Sequence, residues 1–275
     1  MNRRWLFATP FVAALLLAAQ PNPGAGGPGE AARVVPQNSF GRGETIRYRV
    51  HYGFINAAEA TIETSGRLER INERPCYQAT VTGRTTGSFD YFLRVRDQWR
   101  SYIDTASILP LRATRDIAEK NYRKKETVNF DHSRDLAEVH EHKKDREKRT
   151  TVKILNNAQD MVSGFYFLRT LNYEKLKPGD VLKVPGFLEG ESYVLEVTFR
   201  GREITETKAG AIRTIKLTPK MPANKLFRGE NAISVYLSDD KNKIPVLFQA
   251  ELFVGAIKVD MYKAEGLKSR LNMAR

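Results

Sequence analysis

A single cysteine, Cys76, stands in a chain of 275 residues. One thiol excludes an intrachain disulfide framework, a Cys-rich zinc module and an iron–sulfur cluster. Four histidines leave little for a polynuclear metal site. Beyond residue 19 no apolar run approaches the roughly 20 residues that cross a bilayer as a helix. Gly83, Gly87 and their neighbours form no phosphate loop, and Ser163-Gly164 lacks the flanking glycine of a nucleophile elbow. No repeat of fixed period is evident.

What is present is the composition of a folded protein: 41% hydrophobic, 28% charged and 10% aromatic residues. Lys and Arg number 45 against 32 Asp and Glu, a formal charge of +13. The excess is spread along the chain. The N-terminus begins with Arg3-Arg4, continues through an apolar run from Trp5 to Ala19, and breaks at Gln20-Pro21-Asn22-Pro23-Gly24. A charge, a short apolar core and a breaker predict a secretory signal and a periplasmic address. No Cys follows the run, which excludes lipid attachment there. Pro21 to Gln37, rich in Gly, Pro and Ala, reads as a flexible leader. Residues 1–37 are thus expected to be signal and leader, 38–268 a β-rich domain, and 269–275 a tail. The mature chain is expected to carry no transmembrane span.

Period-two alternation dominates the remainder. Ile46, Tyr48, Val50 and Tyr52 oppose Arg47, Arg49 and His51. Phe89, Tyr91, Leu93, Val95, Trp99 and Ile103 share a side; so do Tyr193, Leu195, Val197 and Phe199, and Val246, Phe248, Ala250, Leu252 and Val254. One buried and one wet face is the mark of antiparallel sheets. Turn signals such as Asn72-Glu73-Arg74-Pro75 and Lys177-Pro178-Gly179-Asp180 separate the runs. Asp160 to Asn172 is the main helix candidate, with Asp160 as N-cap and Met161, Phe165, Leu168 and Asn172 on one face. The predicted fold is mainly β: curved antiparallel sheets, a sandwich or half-barrel, with one short helix. Residues of about 40–155 and 175–265 are two sheets of one domain or two subdomains.

Candidate chemistry is sparse. Cys76 lies in a strand-like run and reads as a buried small hydrophobe. His140 and His142 flank Glu141 on one strand face, with His132 a conceivable third ligand, but the charge around them favours solvated strands. Residues 119–149 hold ten basic and eight acidic side chains and read as outer strands with a hairpin tip near Lys143-Lys144-Asp145. Asp239, Asp240 and Asn242 offer three oxygens where calcium takes six to eight, so a self-capping turn explains them better. The sharpest feature runs from Lys208 to Arg228: six basic residues in 21 with no acid. Within it Lys220, Met221, Lys225, Phe227 and Arg228 lie beside two prolines, in a loop suited to an anionic amphiphile or glycan. These five are the candidate binding residues; no catalytic residue, metal or cofactor is expected.

Several spaced pieces together resemble a known family. They are Gly43-Glu44, Tyr52-Gly53-Phe54, Ile103-Asp104, Leu109-Pro110-Leu111-Arg112, Asp160 to Arg169 and Gly179-Asp180. Toward the C-terminus come Val235-Tyr236-Leu237-Ser238-Asp239-Asp240, Ile244-Pro245-Val246 and Val254-Gly255. In this order and spacing they resemble the uncharacterised bacterial envelope family known as domain of unknown function 3108, over roughly residues 40–262. Ala58 and Tyr236 depart from it, Gly and Trp being commoner there. The resemblance implies export and a β-rich envelope protein, and it carries no reaction and no catalytic residue.

The expectation drawn from all of this is non-enzymatic binding of an envelope amphiphile or glycan, with anionic lipid or lipopolysaccharide among the partners and no nucleic acid. The alternatives are a scaffold of envelope biogenesis, or an enzyme on envelope polysaccharide. Oligomeric state is left open.

Overall fold

A computed structural model describes residues 33–143, 146–220 and 229–274. Fourteen strands form one antiparallel sheet. The first eight are β1 (Thr45–Tyr52), β2 (Ile55–Ile71), β3 (Arg74–Thr85), β4 (Arg96–Asp104), β5 (Pro110–Glu119), β6 (Tyr122–Asp131), β7 (Leu136–Lys143) and β8 (Arg146–Lys153). The rest are β9 (Val181–Leu188), β10 (Glu191–Thr207), β11 (Gly210–Pro219), β12 (Ile233–Ser238), β13 (Pro245–Glu251) and β14 (Ala256–Glu265). The spatial order is β8-β7-β6-β5-β4-β3-β2-β1-β14-β13-β12-β11-β10-β9. Both halves are simple meanders, and they are welded by pairing of β1 with β14, from Thr45↔Glu265 to Tyr52↔Ile257.

The curved sheet leaves its two edge strands unpaired with each other. Side chains shut the seam instead. Residues between β8 and α2 (Met161–Thr170) cross from one edge to the other. Gln159 there donates its backbone N–H to Pro185 and accepts from Phe187, covering the β9 edge. Phe130 on β6 meets Phe187 on β9 edge-to-face, with ring centroids 5.6 Å apart. Val128, Ala137, Val139, Ile154 and Ala158 complete this apolar seam. The opposite edge, β8, is mostly exposed and reads Arg146-Glu147-Lys148-Arg149 at its start, the charged edge that discourages strand addition.

The helix sits in the concavity. Asp160 caps it, accepting from the N–H groups of Val162 at 2.7 Å and Ser163 at 3.0 Å, and Ser163 reaches back in a capping box. Val162, Tyr166, Leu168 and Arg169 are buried, so nearly the whole circumference is packed rather than one predicted stripe. Arg169, 2% exposed, forms a bidentate pair with Glu44, 1% exposed. It also donates to the carbonyls of Asn242 and Ser39. Phe40 and Tyr166 lie 5.3 and 5.2 Å from its guanidinium carbon. The pair anchors α2 at the strand ends that hold the β12–β13 connection; these are called the anchored end. The other ends, which carry the β1–β2 and β13–β14 turns, are the free end.

The alternating strands are as expected: Tyr48, Val50, Val95, Trp99, Val197 and Phe248 are buried, while Leu195 and Leu252 are half-buried. Two differences stand out. Phe89, Tyr91 and Leu93 do not extend β4; Gly87 turns the chain at φ 57° into a second short helix, α1 (Gly87–Phe92), which buries none of its residues. The described residues thus hold two helices rather than one. Moreover, β6 is not a solvated outer strand on both faces, because Lys124 and Glu126 are buried on the inner side.

Candidate functional site

Inside the curve, beneath α2, lies a cavity of about 80 Å³. Its walls are Tyr48, Ala60, Ile62, Val81, Trp99, Phe248, Ala250, Ile257 and Val259 from the sheet, and Met161, Val162 and Phe165 from the helix. A second space of about 50 Å³ lies between α2 and β9–β11, against Leu195, Val197 and Leu217. A third, of about 20 Å³, borders the seam at Phe130 and Phe187. Met161 touches all three. An unbranched thioether is the side chain best suited to a movable partition. One water needs only about 10–15 Å³, but it also needs polar partners, and the cavity beneath α2 offers few.

Period two explains the lining. Gly83 lies opposite Ala60 on β2 and Asp97 on β4, with Val81 and Trp99 in the next inward row. A Cβ placed on Gly83 would meet nothing within 4 Å, so this residue leaves the inner wall open. The Trp99 indole N–H is buried without a hydrogen-bond partner, as is the Gln159 side-chain oxygen at the second space. Such groups are costly unless something else meets them.

Two polar constellations line the inner face further along. The first bridges the seam. Arg115 pairs with Glu126 at 2.7 Å and with Glu189, and Lys124 pairs with Glu126 at 3.1 Å, Glu141 at 2.8 Å and Glu189 at 2.9 Å. The Arg115 guanidinium carbon sits 4.8 Å from the centre of the Trp99 ring. Burial works to raise the Glu189 carboxyl pKa, but Arg115 and Lys124 outweigh it and hold it near 2. The second is Asp97 with Glu119. Burial, then the charge of Asp97, pushes the Glu119 carboxyl up to about 8, and burial raises Asp97 as well. Asp97 also accepts the Ala118 N–H at 3.0 Å, while Glu119 Oε1 is buried without a hydrogen-bond partner.

The sequence-level candidates fare unevenly. Lys220 is exposed at the free end, its Nζ 3.8 Å from Glu230 and its N–H bonded to Glu196. Met221, Lys225, Phe227 and Arg228 lie outside the described residues. His140 and His142 face outward together, and His132 is elsewhere, bonded to the Pro110 carbonyl at 2.8 Å and stacked on Phe130. Asp240 caps its own turn, accepting from Ser238 and from the N–H groups of Asn242 and Lys243. Cys76 is buried, and burial raises its thiol pKa to about 11. Sequence reasoning missed the cavity. No motif marks it: the space is bounded by side chains of several strands and the helix.

No curated protein matches the sequence. Among solved structures, the chain is similar to a β-barrel-like protein of domain of unknown function DUF1849 from Brucella abortus. The identity is 12% and the TM-score 0.52, over 84% of this chain and 98% of that one. It is also matched to a protein from Bacteroides fragilis described as exported with a YmcC-like fold, at 10% identity and TM-score 0.36, over 86% of this chain and 100% of that one. A protein from Parabacteroides distasonis described as a lipoprotein matches at 11% and 0.35, with the same coverage. The first likeness concerns the rolled sheet alone. The model of a protein family of unknown function, DUF3108, matches residues 47–262, and the chain belongs to that family.

Proposed function

We propose that this is an exported cell-envelope protein that binds an amphiphile, holding its apolar chain in the cavity under α2. The cavity carries the reading. Protein interiors leave few voids larger than a water molecule, yet here one of about 80 Å³ is walled by aliphatic and aromatic side chains. A narrow space of this kind suits a linear chain rather than a bulky ring system. Rotation of Met161 would join it to the second space beside Leu195 and Val197. The free Trp99 N–H supplies one donor for a polar atom of the guest. Export is supported by the apolar run and Pro/Gly break at residues 5–24. The basic segment Lys220–Arg228 is the proposed contact for an anionic head group or acidic glycan.

The test is titration of the purified mature protein with a fluorescent fatty acid. Gly83→Leu puts a side chain into the cavity from a backbone position where nothing blocks it. It should weaken the probe at least about tenfold, the scale of losing one to two buried methylenes' worth of contact, with an unchanged melting temperature. Replacing Lys220, Lys225 and Arg228 by Gln should remove the preference for an anionic over a neutral head group. Probe affinity unaltered by Gly83→Leu, or a parent protein that takes no probe, overturns the reading.

A further inference from the structure

Twelve large hydrophobic side chains are exposed among the described residues, and all five aromatics in that set stand at the free end of the strands. They are Tyr52 and Phe54 at the β1–β2 turn, Tyr91 and Phe92 in the β3–β4 connection, and Phe253 at the β13–β14 turn, where Val254 joins them. Phe54 is fully exposed, and Tyr91 is 89%, Phe92 72%, Val254 76% and Phe253 65% exposed. These three connections belong to six consecutive strands of the sheet, β4-β3-β2-β1-β14-β13. At about 4.8 Å per strand they span roughly 25 Å. The same six strands supply most of the sheet wall of the apolar cavity, which reaches Ala250 and Ile257 just inside the rim. Tyr52 ties two of the tips together by donating its hydroxyl to the Val254 carbonyl at 2.9 Å.

Beside the aromatic rim is a cationic corner. Lys120, in the β5–β6 turn, donates its backbone N–H to the Arg94 carbonyl at 2.8 Å, so two separate connections are pinned together there. Arg94, Lys120 and Arg123 are exposed, and none has a carboxylate within ion-pair distance among the described residues. The nearby acids are committed elsewhere: Asp90 to Arg96, and Glu119 to Asp97 in the interior. Aromatic and aliphatic side chains on loop tips, next to free cations, form the arrangement that enters the head-group region of an anionic bilayer. A protein partner would be expected to find a broader, packed apolar patch, whereas these side chains stand on separate turns.

We propose that the free end docks on an anionic lipid membrane, with Phe54, Phe92 and Phe253 inserted between head groups and Arg94, Lys120 and Arg123 against lipid phosphates. This orientation sets the mouth of the cavity against the bilayer, so the amphiphile passes between membrane and protein without crossing water. The proposal takes from the previous reading only the purpose of the contact; the contact itself stands on the rim.

Sedimentation with vesicles tests it. The mature protein is mixed with phosphatidylcholine vesicles with and without about a third phosphatidylglycerol. Binding is expected with the anionic vesicles, and it falls as salt rises without vanishing, since screening touches only the charge contribution. Phe54→Ser, Phe92→Ser and Phe253→Ser together should weaken binding at least about tenfold. Arg94→Gln, Lys120→Gln and Arg123→Gln together should remove most of the salt dependence. All six sites are exposed, so circular dichroism melting and fatty-acid affinity in solution should not change. A parent that ignores vesicles, or an aromatic variant that binds as well as the parent, overturns the proposal while leaving the cavity reading intact. Concentration-dependent dimerisation lost in the aromatic variant, without vesicle binding, also overturns it and makes the rim a contact between copies. A vesicle result as expected with no effect of Gly83→Leu on the probe sinks the cavity reading alone.

Discussion

Glu119 is a carboxyl that the fold keeps protonated near neutrality. Its ordinary pKa is 4.5, and burial with Asp97 alongside raises it to about 8. A carboxyl shifted upward stabilises the folded state fully below its unfolded pKa and loses that contribution as pH rises through the folded value. Melting temperature should therefore decline between about pH 5 and pH 8, and Glu119→Gln, which removes the proton equilibrium at that site, should flatten that window. Equal melting temperatures of the parent at pH 5.5 and 8.5, in roughly constant salt, would show that the Glu119 carboxyl is not shifted upward. Nothing in the sequence marks these two residues as partners, since Asp97 and Glu119 sit on different strands and only the β4–β5 register brings them together. Arg115 and Lys124 tell the same story. Lys124 and Glu126 share the even positions of Tyr122, Val128 and Phe130, so their inward direction was readable from alternation. Their burial was not, because it depends on Glu189 in the β9–β10 turn, at φ 53° and far along the chain.

At the scale of elements, α2 was readable because its cap is local: Asp160 and Ser163 are three residues apart, and the apolar positions follow. The strands were readable because one face of each is apolar. The helix α1 was not, since Phe89, Tyr91 and Leu93 alternate as a strand would, and its six residues bury nothing that periodicity could report. The cavity is likewise invisible to any motif, being a space left by side chains of many elements. What the sequence could not reveal about α2 is its anchor. Arg169 and Glu44, 125 residues apart, form an ion pair with almost no exposure. Removing one partner strands the other charge in the interior, which typically costs about 3–5 kcal/mol. Arg169→Met should therefore destabilise the protein by about that much in denaturant melts, whereas Arg169→Met with Glu44→Leu should recover a large part of it. A single variant as stable as the parent would mean that the pair holds nothing in place.

For the whole molecule, the decisive connection is the one between β1 and β14. Every other neighbour in the sheet is also a neighbour in sequence, so within each meander a strand pairs with the one that follows it. The central pairing joins Thr45 to Glu265 and Tyr52 to Ile257. A chain ending at residue 255 would leave β1 and β13 with bare edges in the middle of the molecule, where no covering strand satisfies their backbone groups. Such a chain should aggregate, and a synthetic peptide of residues 256–265 supplied in excess should restore solubility by adding as a strand. Solubility of the shortened chain without the peptide, with an unchanged β spectrum by circular dichroism, would disprove this. The order of synthesis gives the same pairing a temporal meaning. β1 must wait for β14, so the chain cannot complete this sheet while the residues between them are still being made. It remains a pair of unfinished meanders, slow to lock and open to holding factors, until its C-terminal strand arrives.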